Sequence, residues 1–338
     1  MNNPIRVLQV GMSQYYGGTE SFIMNQYRKI NREKIQFDFL NVYNGPLACD
    51  EEIKQLGGQI YSLDMSRRKG LKKYRKNLDN FFKENASKFN VIHCNFQSLI
   101  NIDLLKYAKK YNIPVRIAHS HNSGYGKEPN ILQKLLILIN KINLKKYATK
   151  YFACSMMASE WMFGKRSSTI VHNAIDSFKF LYNQETRVIK RTELGIKDEK
   201  IILFVGRLDP QKNPLFLIEV FKEILKREKE WRLFIIGDGE MRTQVEEKIL
   251  EYNLQSYVQL FGSRNDVGDF LQAADCFLLP SNFEGLGIVL IEAQAAGLKC
   301  FTSKGVVPSE VDVTGLVQFI SLDKGAAAWA DIIMQSDF

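Results

Sequence analysis

The sequence predicts an α/β protein made of two doubly wound, Rossmann-like domains facing each other across a cleft. Three observations carry that expectation. Short apolar runs of β type alternate with amphipathic helical stretches along the whole chain, the pattern of strands joined by crossover helices. Several runs, such as Ile201-Ile202-Leu203-Phe204-Val205, are apolar at every position, as central parallel strands are. The alternation breaks once, over 176–200, where the chain turns polar and strand signal disappears. A length of 338 residues suits about two domains, so the expected halves are 1–178 and 179–338, and a cleft between such halves is a natural ligand site.

Strands are expected in the first half at 6–10, 37–42, 91–94, 115–119, 151–153 and 169–171. The second half places them at 201–205, 233–236, 258–261, 276–279 and 300–302. The five cysteines, Cys49, Cys94, Cys154, Cys276 and Cys300, form no C-x-x-C pair, and three fall within strand runs. They read as buried free thiols in a reducing compartment, not as disulfides or a zinc site. Residues Met1 to Arg6 lead straight into a strand without a secretory signal, and no apolar stretch approaches the roughly 20 residues of a membrane span. The expected setting is cytoplasmic, with the inner face of the cell membrane as a peripheral location.

A formal net charge of +9 calls for an anionic partner: phosphate-bearing substrates, an anionic membrane surface or nucleic acid. The densest cluster is Arg67, Arg68, Lys69, Lys72, Lys73, Arg75 and Lys76, which contains no acid. A second segment from Leu132 mixes leucine and isoleucine with Lys134, Lys141, Lys145, Lys146 and Lys150. Basic amphipathic stretches suit an anionic bilayer; the alternative is a solvated helix face. The cluster at 67–76 holds one aromatic residue, Tyr74, so nucleic acid is not an expected partner.

The candidate chemistry sits at strand ends. After the strand 276–279 comes Ser281-Asn282-Phe283-Glu284-Gly285-Leu286-Gly287, then the helical run Ile288-Val289-Leu290-Ile291-Glu292. A strand, a glycine loop and a helix start present free N–H groups to an anion, typically a phosphate. Glu284 stands at the mouth of that loop. Glu292 lies among apolar residues, where a carboxylate is costly unless partnered; otherwise it is a solvated helix residue. After the strand 201–205, Gly206-Arg207-Leu208-Asp209-Pro210-Gln211-Lys212 sets two cations on one loop. The Arg fork and the Lys point charge suit a diphosphate without a metal, against surface salt bridges as the alternative. Gly237 and Gly262 end the next two strands and leave room for a flat base.

In the first half, Gly17-Gly18-Thr19 can open a helix with exposed N–H groups, or make a plain turn. No G-x-G-x-x-G is present in either half, which disfavours a nicotinamide cofactor. All four histidines, His93, His119, His121 and His172, follow or end expected strands, and metal spacing such as H-E-x-x-H is absent. One of His119 and His121 reads as polar machinery in the cleft.

Taken in order, Gly17-Gly18, Ala118-His119-Ser120-His121-Asn122, Val171 to Asp176, Gly206-Arg207-Leu208 with Lys212, Gly237-Asp238-Gly239 and Glu284-x7-Glu292 resemble the retaining glycosyltransferases of the GT-B fold, family 4. The resemblance covers nearly the whole chain. It implies transfer of a hexose or N-acetylhexosamine from a nucleotide sugar, UDP-linked, to a growing lipid-linked surface polysaccharide of capsule or exopolysaccharide type. It implies no metal and no cofactor, the nucleotide sugar being a substrate.

By the same resemblance Arg207 and Lys212 hold the pyrophosphate, Glu292 the ribose hydroxyls and Glu284 the transferred sugar. Gly285, Leu286 and Gly287 face phosphates and sugar through their backbone, Gly17 and Gly18 border donor phosphate and acceptor, and His121 or His119 stands near the reacting centre. The chain departs from the pattern at Ala174 (usually Gly), at Lys299 (often Pro) and in stopping at Phe338, before the expected helices that cross back to the first domain. The competing readings are a nucleotide-sugar epimerase on the same fold and a two-domain binding protein without chemistry; clustered cations count against the latter.

Overall fold

A strand with no polar face must be covered on both sides. In the computed structural model of the protein Ile201, Ile202, Leu203 and Phe204 are fully buried, in the middle of a parallel sheet. The structure describes residues 3–66, 70–126 and 128–338. Arg67, Arg68 and Lys69, three cations of the basic cluster at 67–76, lie outside the described residues. The chain divides into two units, Met1–Ala174 and Ile175–Phe338.

Among the described residues the first unit holds strands β1 (Ile5–Val10), β2 (Ile35–Asn41), β3 (Ile60–Ser62), β4 (Val91–Phe96), β5 (Val115–Ser120), β6 (Lys150–Ala153) and β7 (Thr169–Ile170). They pair in parallel in the order β3-β2-β1-β4-β5-β6-β7. Its helices are α1 (Gly18–Lys29), α2 (Asp50–Gln55), α3 (Leu71–Asn85), α4 (Asp103–Lys110), α5 (Ile131–Tyr147) and α6 (Met156–Phe163). The core around β1 and α1 gathers Phe22, Ile23, Met24, Tyr27, Phe37 and Phe39. Strand order reverses between β1 and β4.

In the second unit α7 (Gln184–Glu193) precedes β8 (Lys200–Val205), β9 (Trp231–Ile236), β10 (Val258–Gly262), β11 (Cys276–Leu279), β12 (Lys299–Ser303) and β13 (Val317–Ile320). The order is β10-β9-β8-β11-β12-β13, all parallel, with the reversal between β8 and β11. Helices α8 (Pro214–Leu225), α9 (Arg242–Glu251), α10 (Val267–Ala273), α11 (Ile288–Ala295) and α12 (Gly325–Met334) fill the crossovers and the end of the unit. Helix α12 folds against α8, where Trp329 meets Phe216 edge-on and Arg227 pairs with Asp331.

Two strands and one helix escape the sequence pattern, each for a physical reason. Strands β3 and β13 are edge strands of three and four residues, too short for a periodic signal. The polar stretch 176–200, where strand signal disappears, contains α7, which docks by charge instead of an apolar stripe. Arg187 and Arg191 pair with Asp275, and Lys190 with Asp266. The cysteines are free thiols; Cys94, Cys154, Cys276 and Cys300 are buried.

Candidate functional site

At a point where strand order reverses, the two flanking loops diverge and leave a crevice at the C-terminal edge of the sheet. In the second unit those loops follow β8 and β11, and side chains stitch them together. Lys212 Nζ donates to Glu284 Oε1 at 2.6 Å, and Ser281 Oγ donates to the same oxygen at 2.7 Å. Gln211 Nε2 reaches Glu284 Oε2 at 3.4 Å, and Asn282 donates through its backbone to the Gln211 carbonyl and through its side chain to that of Pro210. Glu284, expected at an open loop mouth, is 4 % exposed. Ser281 and Gln211 hold it inward, and Lys212 supplies the charge that a buried carboxylate requires.

Arg207 is the opposite case: its side chain is 65 % exposed and, among the described residues, its guanidinium pairs with Asp209, at 3.0 Å, and weakly with Gln211. Its fork is therefore available to an anion. The stem of Lys212 lies across Gly206, where an added Cβ would stand 3.3 Å from two of its carbons. Gly206, Gly237 and Gly262 form a continuous backbone shelf, the Gly206 N–H donating to Ile236 and that of Gly237 to Gly262. A Cβ on Gly237, whose φ is +132°, would strike the Gly206 carbonyl oxygen at 1.9 Å.

Helix α11 opens at Gly287, which takes the left-handed conformation (φ +88°) without a side-chain cap. Leu286 is buried beneath this turn, and Gly285 links it to Glu284. Uncapped N–H groups and the helix dipole favour negative charge there. Glu292, one turn into α11, is partly exposed and has no side-chain hydrogen bond or ion pair among the described residues. Burial pushes its carboxyl up to about 7. A carboxylate desolvated and left without a partner is suited to hydroxyl donors from a ligand.

In the first unit the loops at the reversal follow β1 and β4. Gly17 is the N-cap of α1, and no side chain caps the helix. Nothing stands within 4 Å of a Cβ built on Gly18, so the helix start is open on that side. Buried Glu20 holds the loop by accepting from the Ser13 N–H at 2.7 Å, and Gln97 Nε2 donates to Thr19 Oγ1.

The histidines separate here. His119 is 0 % exposed and lies within β5, so it has no access to a substrate. His93 Nε2 meets its Nδ1 at 3.0 Å, while the Nε2 of His119 has no hydrogen-bond partner among the described residues. His121, just past the strand end, is partly exposed, and its Nε2 lies 2.8 Å from Asn95 Oδ1. Phe22 stands edge-on to both His119 and His121. Burial drives all three imidazoles down, His93 to about 4 and His121 to about 3, with mutual repulsion adding to the effect at His119 and His121. His172 follows β7.

Beside the β1 loop, a hollow of about 520 Å³ opens at the ends of β2 and β3, lined by Asn41, Tyr43, Asn44, Asp50, Lys54 and Ser62 among others. It combines an aromatic ring with amides, a hydroxyl and a charged pair. Among the described residues no three His, Cys, Asp or Glu side chains gather as a metal ion would require, and no helix is long and apolar enough to cross a membrane.

A family profile described as "Glycosyl transferases group 1" matches residues 186–335. The putative glycosyltransferase EpsF of Bacillus subtilis is 31 % identical over 337 residues, covering 98 % of this chain and 87 % of that protein. The chain belongs to the group 1 glycosyl transferases. A second relative, the UDP-Gal:alpha-D-GlcNAc-diphosphoundecaprenol alpha-1,3-galactosyltransferase of Escherichia coli, is 24 % identical, covering 89 % of this chain and 80 % of its own length. Anabaena Alr3699/HepE, solved with UDP-glucose, shares the fold at a TM-score of 0.78 and 17 % identity, covering 98 % of this chain and 89 % of that one. The two parallel sheets thus have the GT-B architecture expected from the sequence.

In this glycosyltransferase the segment matched by the family profile carries Arg207, Lys212, Glu284 and Glu292 together. Sequence reading missed the residues that hold them. Ser281 and Gln211 fix Glu284, Asp209 fixes Arg207, and Asn95 and Phe22 frame His121. Their one sequence signal is proximity to a motif; polar residues near a loop are too common to single out.

Proposed function

We propose that this glycosyltransferase moves a hexose or N-acetylhexosamine from a UDP-linked donor to a growing, lipid-linked surface polysaccharide, with retention at the anomeric carbon and without a metal. The reading rests on one arrangement: Arg207, Lys212, the uncapped start of α11 and Glu292, whose side chain has no polar partner among the described residues, all belong to the two loops and the helix at the sheet reversal of the second unit. Arg207 and Lys212 take the diphosphate, Glu292 accepts from the ribose hydroxyls, and the glycine shelf at Gly206, Gly237 and Gly262 receives the base. Glu284 orients Lys212 and, when the diphosphate draws that lysine away, turns to the sugar. Gly285, Leu286 and Gly287 offer backbone groups to phosphates and sugar. In the first unit Gly17 and Gly18 border the acceptor, the polar hollow beside Tyr43 takes its terminal sugar, and His121 contacts the reacting centre as a neutral imidazole. The E. coli galactosyltransferase, which uses UDP-Gal and a diphosphoundecaprenol-linked acceptor, and the Anabaena protein solved with UDP-glucose support a uridine donor and a lipid-linked acceptor.

In the transfer, the bond from the sugar C1 to the diphosphate oxygen breaks and a bond from C1 to the acceptor oxygen forms on the same face. The acceptor's hydroxyl proton passes to the departing diphosphate. Fixed cations stabilise the charge that develops there, so neither glutamate acts as nucleophile. The test combines a thermal-shift panel of UDP, GDP and ADP sugars with product analysis by anomeric NMR. Stabilisation by UDP sugars and an axial product support the reading. Silence from every nucleotide, or conversion of the donor without an acceptor, would overturn it.

A further inference from the structure

Helix α5 leaves its outer face uncovered. Ile131 is 88 % exposed and Leu132 66 %, and Leu135, Leu138, Ile139 and Ile142 are exposed beside them. At about 100° per residue these six side chains fall within one arc of roughly 120°. Buried Asn140 and Leu144 stand on the opposite side, where Asn140 Nδ2 donates to the carbonyls of Leu99 and Ile100. Single exposed aliphatic residues are ordinary, whereas a stripe of six along one helix marks an interaction face.

Cations frame the stripe. Lys134 flanks it in the first turns, paired with Glu128, and Lys145 and Lys146 close it in the last turn without a carboxylate partner among the described residues. The neighbouring helix α4 adds Lys106, Lys109 and Lys110, of which Lys106 pairs with Asp103 and Lys110 with Asp79. Lys109 Nζ donates to the Lys146 carbonyl at 3.0 Å. Beside α4, α3 exposes Lys72, Lys73, Arg75 and Lys76. The partner of this face must be apolar and anionic at once. A second copy of the chain brings the same lysines, and like charges repel it.

We propose that α5 is an interfacial helix that lies flat on an anionic lipid bilayer, its aliphatic stripe between the headgroups and its lysines on the lipid phosphates. The surface deepens the lipid-linked acceptor of the proposed function and rests on that reading only for its purpose. The test is sedimentation of the full chain with vesicles of phosphatidylglycerol and phosphatidylcholine, against phosphatidylcholine alone. Binding to the anionic vesicles that weakens with salt is expected. Leu135→Gln with Leu138→Gln lowers partitioning roughly a hundredfold, and Lys145→Gln with Lys146→Gln roughly thirtyfold. All four side chains are exposed, and turnover on a water-soluble acceptor stays unchanged in both variants, which separates membrane docking from sugar transfer. Three results would each overturn the proposal: no binding of the unaltered chain, binding indifferent to the leucine changes, or a dimer in solution that those changes abolish.

Discussion

Lys212 Nζ meets Glu284 Oε1 at 2.6 Å, tying the loop after β8 to the loop after β11 where the sheet order reverses. The lysine thereby neutralises a buried carboxylate, and this task can be separated experimentally from the diphosphate contact proposed for it. Lys212→Ala leaves Glu284 buried without its counter-ion and costs about 3 kcal/mol of stability, along with a hundredfold or greater loss of kcat. The double variant Lys212→Met, Glu284→Leu recovers most of the stability and none of the turnover. Urea unfolding beside steady-state kinetics checks both; recovery of turnover in the double variant would refute the assignment.

Arg207 is exposed and pairs only at the surface, so Arg207→Ala alters stability by less than about 1 kcal/mol. The proposed contact of its planar fork with the diphosphate nonetheless predicts that turnover falls by orders of magnitude. Arg207→Lys restores little, a point charge being a poor replacement for a bidentate donor. Near-normal kcat/KM in the alanine variant contradicts the role.

Glu292 has a carboxyl pushed up to about 7 from an ordinary value near 4.5. Because the folded value is the raised one, the native state holds its proton more tightly than the unfolded chain. Its contribution is fully present below pH 4.5 and is lost as pH rises through 7. Glu292→Gln therefore stabilises the protein by about 2 kcal/mol at pH 8 while weakening donor binding. In the unaltered chain donor KM falls as pH rises from 6 to 8, since the ionised carboxylate is the better acceptor. A pH-independent KM argues against ribose contact.

The three clustered imidazoles give the opposite slope. His93 and His121 are held at about 4 and about 3 when folded, and His119 is also held down, against about 6.5 for an unfolded histidine. The folded state binds fewer protons, so stability is complete above pH 6.5 and falls as pH drops toward 4. The slope is at most about 1.4 kcal/mol per pH unit for each imidazole. Urea midpoints at pH 7, 6 and 5 measure it, and a flat series over that range is incompatible with neutral rings.

Two glycines separate local strain from open space. Gly237→Ala forces a Cβ onto the Gly206 carbonyl at a positive φ, which costs about 3 kcal/mol or more and breaks the shelf proposed for the base. Gly18→Ala meets nothing within 4 Å and leaves the melting temperature nearly unchanged. Circular dichroism melts of the two variants decide the matter.

Sequence by itself determined the fold class, because apolar runs such as Ile201 to Val205 fit no environment except the middle of a helix-covered parallel sheet. It also brought Arg207, Lys212, Glu284 and Glu292 forward, since a strand, a glycine turn and a helix start are local features with local signals. Helix α7 stayed hidden because ion pairs to Asp266 and Asp275, distant in sequence, hold it in place of an apolar stripe. Only the tertiary structure distinguished His119 from His121: two residues of spacing along β5 and beyond its end separate an enclosed ring from one reaching the sheet edge. It likewise turned Glu284 inward onto Lys212 and left the Glu292 side chain without a polar partner among the described residues. Burial and pairing of charge depend on what other strands bring alongside, a relation no single stretch of sequence contains.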